Sequence, residues 1–253
     1  MLKKLIFLFV LCLSTLGNAQ NTTLFNDATT AYNNGNYNKA IENYLQIVEN
    51  GEHSAELYYN LGNAYYKLNQ IAPSIYYFEK ALLLKPNDSE IKNNLSYAQN
   101  MTLDAFETLP ETQFSKIYKS IIGTFSFDQW SYVAILSIFL FVLLYIAFKH
   151  FRFSTKKRVA FIGSIISLFM VVTSLAFAYA QYKEFNAKQP AIIFTEEVVI
   201  KSDPNKSGQE LFRLHAGTKV NVLEELKDWR KISLIDGQTG WLLVENIKLL
   251  KEF

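Results

Sequence analysis

Hydrophobic and polar positions follow three different patterns along this chain. Residues 20–104 carry apolar residues at helical spacing, two later stretches are apolar throughout, and residues 191–253 alternate with a period of two. Helical spacing indicates amphipathic helices, an unbroken apolar run of about 20 residues indicates a membrane span, and period two indicates half-buried strands. The pattern therefore predicts a helical domain, two transmembrane helices and a small β-domain, in that order.

The helical stretch contains an internal repeat. At an offset of 34 residues, the period of the tetratricopeptide repeat (TPR), Tyr37 aligns with Ile71 and Tyr44 with Phe78. The second copy, residues 55–88, resembles the TPR consensus along its length, and the first copy is weaker at its start. A TPR packs two antiparallel helices through small residues at their crossing and large ones beside it. The predicted packing residues are Ala28, Ala40, Gly62, Tyr65, Phe78 and Ala81, with Pro86 ending the second helix.

A further helix is predicted after the second repeat. It covers about residues 90–104, is capped by Asp88 or Ser89, and would close the open end of the stack. The first helices of the repeats would then form a concave face that suits a peptide segment of a partner. The alternative is that the tyrosines and asparagines on this face only reflect the repeat consensus and form an ordinary solvated surface. The predicted groove residues are Phe25, Thr29, Tyr32, Tyr59, Asn63, Tyr66, Lys67, Asn93 and Tyr97.

The C-terminal stretch predicts five short strands in a small β-barrel. Asp236-Gly237 is a strong hairpin signal between two of them. The segment resembles the bacterial SH3-like (SH3b) domain, through residues 214–220, Asp228-Trp229 and the turn that includes Gly240 and Trp241. We expect Trp229 and Trp241 to help cover the barrel core, the alternative being a platform for a ligand. Eukaryotic SH3 domains bind proline-rich peptides in a groove lined by tyrosines. This segment contains no tyrosine, so we do not expect it to bind such peptides.

Membrane topology follows from charge as well as from hydropathy. Residues 130–148 and 159–182 contain no charged side chain, and the loop 149–158 between them carries five Lys or Arg and no acid. Basic short loops remain cytoplasmic, so both flanking regions are predicted outside. Residues 1–19 have two lysines, an apolar run of about a dozen residues and a Gly17-Asn18-Ala19 end, which predicts a cleaved secretory signal. An uncleaved anchor would give the same topology.

The average charge hides this organisation. The 253 residues sum to +2, yet residues 20–110 hold five basic and ten acidic side chains and residues 111–182 hold seven and two. Net charge near zero argues against a nucleic-acid binder. Half of the chain is hydrophobic because two spans and a signal raise the average of two ordinary domains.

Residue chemistry gives no reason to expect catalysis. The three histidines have no metal-ligand spacing, Cys12 lies inside the predicted signal, and no nucleophile-elbow, P-loop or dinucleotide-binding pattern occurs. We expect no enzymatic activity, cofactor or metal. Two functions remain open. One is a membrane-anchored interaction scaffold, and the other is a cell-envelope attachment protein whose SH3b domain binds peptidoglycan while the TPR acts as a spacer.

The order of modules resembles the BatE-type TPR/SH3 membrane proteins of the Bacteroides aerotolerance (Bat) operon family. Residues 105–110 before the first span add to this resemblance, which covers essentially the whole chain. It implies a non-enzymatic inner-membrane protein that acts with von Willebrand A-domain Bat proteins and a MoxR-type ATPase in oxygen or envelope stress tolerance. Since the mature chain would lack cysteine, support through assembly is favoured over a direct redox role.

The predicted fold class is a multidomain α and β membrane protein. TPR and SH3b domains would be periplasmic, and the basic loop cytoplasmic. The predicted segments are a signal peptide (1–19), a TPR domain (20–104), a juxtamembrane segment (105–129), a first span (130–148), a basic loop (149–158), a second span (159–182), a linker (183–190) and an SH3b-like domain (191–253).

Overall fold

A computed structural model describes residues 20–106 and 112–251 of the chain. The predicted signal peptide and most of the stretch 105–110 therefore lie outside the described residues. The chain divides into two compact units, one formed by the segments before residue 109 and after residue 188, the other by the residues between them. The first unit joins the N-terminal helices, here called the helical domain (residues 20–106), to the C-terminal strands, here called the β-domain (residues 189–251).

The helical domain consists of antiparallel helices at the spacing of the TPR. Since α2 begins at Tyr37 and α4 at Ile71, equivalent helices are 34 residues apart, as the internal repeat predicts. Asp88 caps the last helix by accepting hydrogen bonds from the backbone N–H groups of Glu90 and Ile91. The helices are α1 (residues 20–33), α2 (Tyr37–Glu49), α3 (Ala55–Lys67), α4 (Ile71–Leu84) and α5 (Ser89–Gln99).

The predicted packing residues lie where the repeat pattern puts them. Of these, Ala28, Ala40, Phe78 and Ala81 are completely buried, and Gly62 is also buried. Tyr65 is half-buried and stacks on the ring of Tyr77. Helix α4 ends at Leu84, two residues before the exposed Pro86, because the residue before a proline is disfavoured in helical geometry. The fifth helix ends at Gln99, earlier than the predicted residue 104.

The β-domain is a single antiparallel sheet with the strand order β3-β2-β6-β5-β4-β1-β7 in the described part of the chain. The predicted Asp236-Gly237 turn joins β5 to β6, and Gly237 has a positive φ of 88°. The strands are β1 (Gln189–Ile193), β2 (Glu197–Lys201), β3 (Glu210–His215), β4 (Lys219–Leu226), β5 (Trp229–Ser233), β6 (Thr239–Leu243) and β7 (Ile247–Leu249).

Every one of these described strands contributes to one aliphatic core. Its buried members include Ile200, Leu214, Val222, Ile232 and Leu242. Strands that face a common core from all positions in the sheet must be strongly coiled, as in a small barrel. The prediction of five strands is wrong, because β1 and β7 also join the sheet. Neither shows an alternation, since β1 is buried on both faces and β7 has only three residues. They pair with each other and, through β1, with β4.

The helical domain and the β-domain pack against each other. Ile192 of β1 and Leu250, both completely buried, belong to the hydrophobic cluster of the helices, whereas the neighbours of Ile192 point into the β-domain core. Tyr76 of α4 donates a hydrogen bond to the carbonyl of Leu249, and its ring contacts that of Phe194 edge to face. This contact between the two domains has no counterpart in the predicted domain organisation, in which they are separate modules.

The second unit is a helical hairpin preceded by a short helix. Serines and alanines such as Ala134, Ser137, Ala160 and Ser164 are buried between α7 and α8, which lets the two helices approach closely. Ser167 donates a buried hydrogen bond to the carbonyl of Ser137. The helices are α6 (Gln113–Ile122), α7 (Phe127–His150) and α8 (Ser154–Ala187).

Within the described residues, α7 and α8 are the two helices long and apolar enough to cross a membrane. In the most apolar 18-residue stretch of α7, only 11% is buried, and in that of α8 only 28% is buried. Soluble core helices bury such residues, and water solvates them poorly, so the exposure of these faces supports a lipid environment.

Both helices extend beyond the predicted spans. The loop between them contains only residues 151–153, since the lysines and arginine on either side are good helix formers. The prediction of a connector over 183–190 is wrong. Helix α8 continues to Ala187 and β1 begins at Gln189, because no helix-breaking residue occurs before Pro190 and an ion pair joins Lys188 to Glu184.

Candidate functional site: a groove on the helical domain

A groove of about 460 Å³ runs along the first helices of the repeats. Helices α1, α3 and α5 supply most of its walls, while Tyr44 of α2 and Phe78 of α4 form part of its lining. The groove is aromatic and amide-rich, which suits an extended peptide, since amides can donate to and accept from a backbone while rings pack against side chains. Its lining residues are Thr29, Tyr32, Asn33, Tyr44, Tyr59, Asn60, Asn63, Tyr66, Lys67, Phe78, Asn94 and Tyr97.

A hydrogen-bond network links α3 to α5 across the groove. The Asn94 amide donates to the hydroxyl of Tyr59 and to the Asn63 side-chain oxygen, each over 2.9 Å. The Tyr59 hydroxyl in turn donates to Glu90 over 2.6 Å. These bonds hold the amide and phenol groups in fixed orientations, so the groove is preorganised for a ligand.

The groove presents neutral phenols and few charges. Burial, followed by the hydrogen bond to Glu90, raises the pKa of Tyr59, and burial raises the pKa of Tyr32. Both hydroxyls therefore stay protonated at neutral pH and can donate hydrogen bonds. Lys67, at the end of α3, is exposed and contributes a positive charge to the lining.

Most of the predicted groove residues line this groove, and two do not. Asn93 is exposed and lies outside the lining, while its neighbour Asn94 lines it. In α5 the residues Ile91 and Leu95 face the core, and a single step along a helix turns a side chain by about 100°. Phe25 packs edge to face on Tyr44 and lines a separate depression beside α3.

Besides Asn94, four lining residues were not predicted to lie in the groove. Asn33 and Asn60 lie one turn from predicted groove residues, so strict use of helical spacing would have found them. Tyr44 and Phe78 belong to the second helices, at equivalent positions of the repeat, and Phe78 was predicted only as a packing residue. Their side chains are almost completely inaccessible to solvent, yet they lie directly beneath the groove and form its floor.

The β-domain supports the helical domain from the side opposite to its first helices. It packs on α4, a second helix, and the ion pair between Lys219 and Glu79 spans 2.6 Å. Gly217 has a φ of 93°, and a Cβ there would lie 2.9 Å from Thr102 Cγ2 and 3.2 Å from Ile75 Cδ1. The groove therefore remains open while the other face of the stack is covered.

Asp104 joins the two domains through three hydrogen bonds. Its carboxylate accepts from the backbone N–H of His215 over 2.7 Å and from the hydroxyl of Thr218, and it lies 2.7 Å from His215 Nδ1. Burial alone would raise the pKa of Asp104, but the hydrogen bonds from Thr218 and His215 outweigh it and hold the pKa below its usual value.

Comparison with protein families agrees with this architecture. Residues 55–88 match the tetratricopeptide repeat. Residues 196–248 match the bacterial SH3 domain. The first match covers α3 and α4, and the second begins after β1, so β1 is the strand that lies outside the family pattern and contacts the helices. A comparison with curated proteins found no match.

The two tryptophans of the β-domain do not cover its core. Trp241 is half-buried and alternates along β6 with the buried Gly240 and Leu242, so it lies on the outer face of the sheet. Trp229 is also half-buried and pairs with Leu243 on that face, diagonally next to Trp241. The expectation that both rings seal the core is therefore wrong, because period two puts them on the opposite face.

Gly240 itself is required by close packing. A Cβ at this position would overlap Ile200 Cγ2 and lie 3.0 Å from the Lys201 carbonyl oxygen.

Within residues 20–106 and 112–251, no group of three or more His, Cys, Asp or Glu side chains is arranged to hold a metal ion.

Proposed function

We propose that this protein is a non-enzymatic, membrane-anchored interaction scaffold whose groove binds an extended segment of a partner protein. One observation carries the proposal: an open groove lined by tyrosine and asparagine side chains, with its amides held by hydrogen bonds. A TPR and a bacterial SH3 domain suggest a protein-interaction or peptidoglycan-binding role in any case. The groove favours the protein partner.

We further propose that both domains lie in the periplasm and that the hairpin anchors them in the inner membrane. Two spans separate the helical domain from the β-domain, and direct contacts such as Lys219 to Glu79 require both to be on the same side. The basic residues between the spans favour the cytoplasm for the loop, and hence the periplasm for the domains. Export would begin with the signal predicted over residues 1–19.

The partners proposed by resemblance are the von Willebrand A-domain Bat membrane proteins and a MoxR-type ATPase system. The support is the order of modules, a TPR, two spans and an SH3b domain, in a single chain. In this proposal the protein contributes to oxygen or envelope stress tolerance by holding partners beside the membrane.

The groove can be tested by photocrosslinking in cells. A photoreactive amino acid at Tyr66 or Tyr97, both in the lining, should give adducts that map to one segment of one partner. The matched control is Lys39, an exposed residue on the second helix α2, which should give none. Adding the double substitution Asn63→Ala and Asn94→Ala should remove the adducts, because it removes the amides that would bind the peptide backbone.

Adducts from Lys39 as strong as those from Tyr66 would contradict the proposal. So would adducts that survive the double substitution. Hydrogen exchange of α3 and α5 in the substituted protein shows whether the fold is retained, which separates loss of binding from loss of structure.

A second function is favoured by the tryptophans. Trp229 and Trp241 are diagonal neighbours on the outer face of the sheet, and aromatic rings on a surface can stack on sugar rings. We therefore retain peptidoglycan binding as the alternative. Full-length protein in detergent should be tested on purified cell-wall sacculi, since a fragment cut before β1 would expose Ile192 and Leu250. Retention that is lost in Trp241→Ala, without crosslinks from the groove, would favour this alternative.

A further inference from the structure

Helix α6 has a clean apolar face that no described part of the chain covers. Phe114, Ile117, Tyr118 and Ile121 occupy positions i, i+3, i+4 and i+7, which lie on one side of a helix. Their exposed fractions are between 45% and 79%. A helix of this kind in water would leave large apolar groups solvated, so a partner for this face is required.

The position of α6 indicates what that partner is. The carbonyl of Ile122, its last residue, accepts hydrogen bonds from Trp130 Nε1 over 2.9 Å and from the side chain of Gln181. Gln181 also donates to the carbonyl of Phe125, and the ring of Trp130 contacts those of Phe125 and Phe177. The end of α6 is thus fixed to the start of α7 and to the last turns of α8.

This junction has the character of a membrane boundary. Trp130 and the exposed Tyr132, Tyr179 and Tyr182 lie at this end of the hairpin, where interfacial aromatic residues are typical. With ten residues, α6 is about 15 Å long and too short to span a bilayer. A short amphipathic helix held at this level is expected to lie parallel to the membrane.

We propose that α6 is an interfacial helix that lies on the lipid bilayer, with Phe114, Ile117, Tyr118 and Ile121 in contact with lipid. The inference rests on the proposed anchoring of the hairpin in a membrane. Charge complementarity supports lipid over a protein partner, since α6 contains two lysines and no acidic residue, and Lys116 is exposed. Such helices bind anionic lipid surfaces, with the apolar face about 5–10 Å deep.

Site-directed spin labelling of the full-length protein tests the proposal. Single cysteines replace Ile117, Ile121, Ser120 or Leu140 in a Cys12→Ser background, and each variant is reconstituted in vesicles of phosphatidylcholine and phosphatidylglycerol. Leu140, in the middle of α7, reports on the span. Ser120, exposed and adjacent to Ile121, is the matched control.

We expect the labels at Ile117 and Ile121 to be accessible to oxygen and protected from a water-soluble nickel chelate. The ratio of oxygen accessibility to chelate accessibility should be several-fold higher there than at Ser120. Free access of the chelate to Ile117 would overturn the proposal. Protection of Ile117 from both reagents would also overturn it, because a protein would then cover the face. If the Leu140 label is in lipid in either case, the anchoring stands and only this inference fails. A Leu140 label in water would overturn both.

Discussion

At the scale of single residues, Gly62 sets how closely α3 and α4 approach. A Cβ at this position would lie 2.6 to 2.9 Å from three ring carbons of Phe78, which is closer than non-bonded carbon atoms approach in folded proteins. The carbonyl of Gly62 also accepts a buried hydrogen bond from the hydroxyl of Ser74 over 2.9 Å. Any side chain here would have to move Phe78, which forms part of the groove floor.

We therefore expect Gly62→Ala to destabilise the helical domain by about 1–3 kcal/mol, the usual cost of overpacking a close-packed core. Hydrogen exchange should become faster across α3 and α4, while the hairpin is unaffected. Asn93→Ala, at an exposed position of α5, is the control and should change little. Unchanged exchange in the Gly62 variant would mean that Phe78 can move at no cost.

At the scale of elements, β1 takes part in two cores at once. Ala191 and Ile193 are completely buried in the β-domain, and Ile192 between them is completely buried against the helices. Successive side chains of a strand point to opposite faces, so an apolar strand can join two layers. This is why β1 shows no alternation in its sequence and was not among the five predicted strands, its first two residues having been assigned to the linker.

Replacing Ile192 with serine should loosen the contact between the domains. Removing a fully buried isoleucine side chain typically costs about 2–5 kcal/mol, and the new hydroxyl would need a partner. Hydrogen exchange in α4 should become faster, whereas β5 and β6 should keep their protection. Val199→Ser is the matched control, because Val199 is half-buried on β2 and belongs to neither hydrophobic cluster. Equal effects of the two substitutions would contradict this role of β1.

At the scale of the whole molecule, residues far apart in sequence close one compact unit. Asp104 and His215 are separated by 111 positions, and the hairpin lies between them in the chain. With the proposed anchoring of the hairpin in a membrane, this contact requires an even number of spans, because both domains must then lie on the same side.

The contact should also depend on pH through Asp104. Its lowered pKa means that the carboxylate stabilises the folded state above the usual pKa of about 4, and that this contribution is lost as the pH falls through the lowered value. Asp104→Asn should be less stable than the wild type by about 1–3 kcal/mol at neutral pH.

Thermal unfolding of both proteins across the acidic range tests this prediction. The difference between them should shrink as the pH falls below about 4, where Asp104 of the unfolded chain takes up a proton, and should be smallest below the lowered pKa of Asp104 in the folded protein. A difference that stays constant with pH would contradict the assignment, because the ionised and the protonated carboxyl of Asp104 would then stabilise the folded protein equally.

Much of the fold could be predicted because its signals are local. The 34-residue repeat, the Asp88 cap, the Asp236-Gly237 turn and the two apolar runs each depend on residues close in sequence. The groove could be predicted to within a turn, and the step from Asn93 to Asn94 was missed because consensus spacing does not fix helix rotation. The outward position of Trp241 was missed because strand register depends on pairing with β5.

The sequence by itself determined the order and type of the domains, since helical period, strand period and long apolar runs are properties of neighbouring residues. Only the tertiary structure decided that the helical domain and the β-domain form one unit. That contact depends on Ile192, Leu250 and Asp104, which carry no local signal because their partners lie more than a hundred residues away in the chain. It also decided which face of the repeat remains open for a partner.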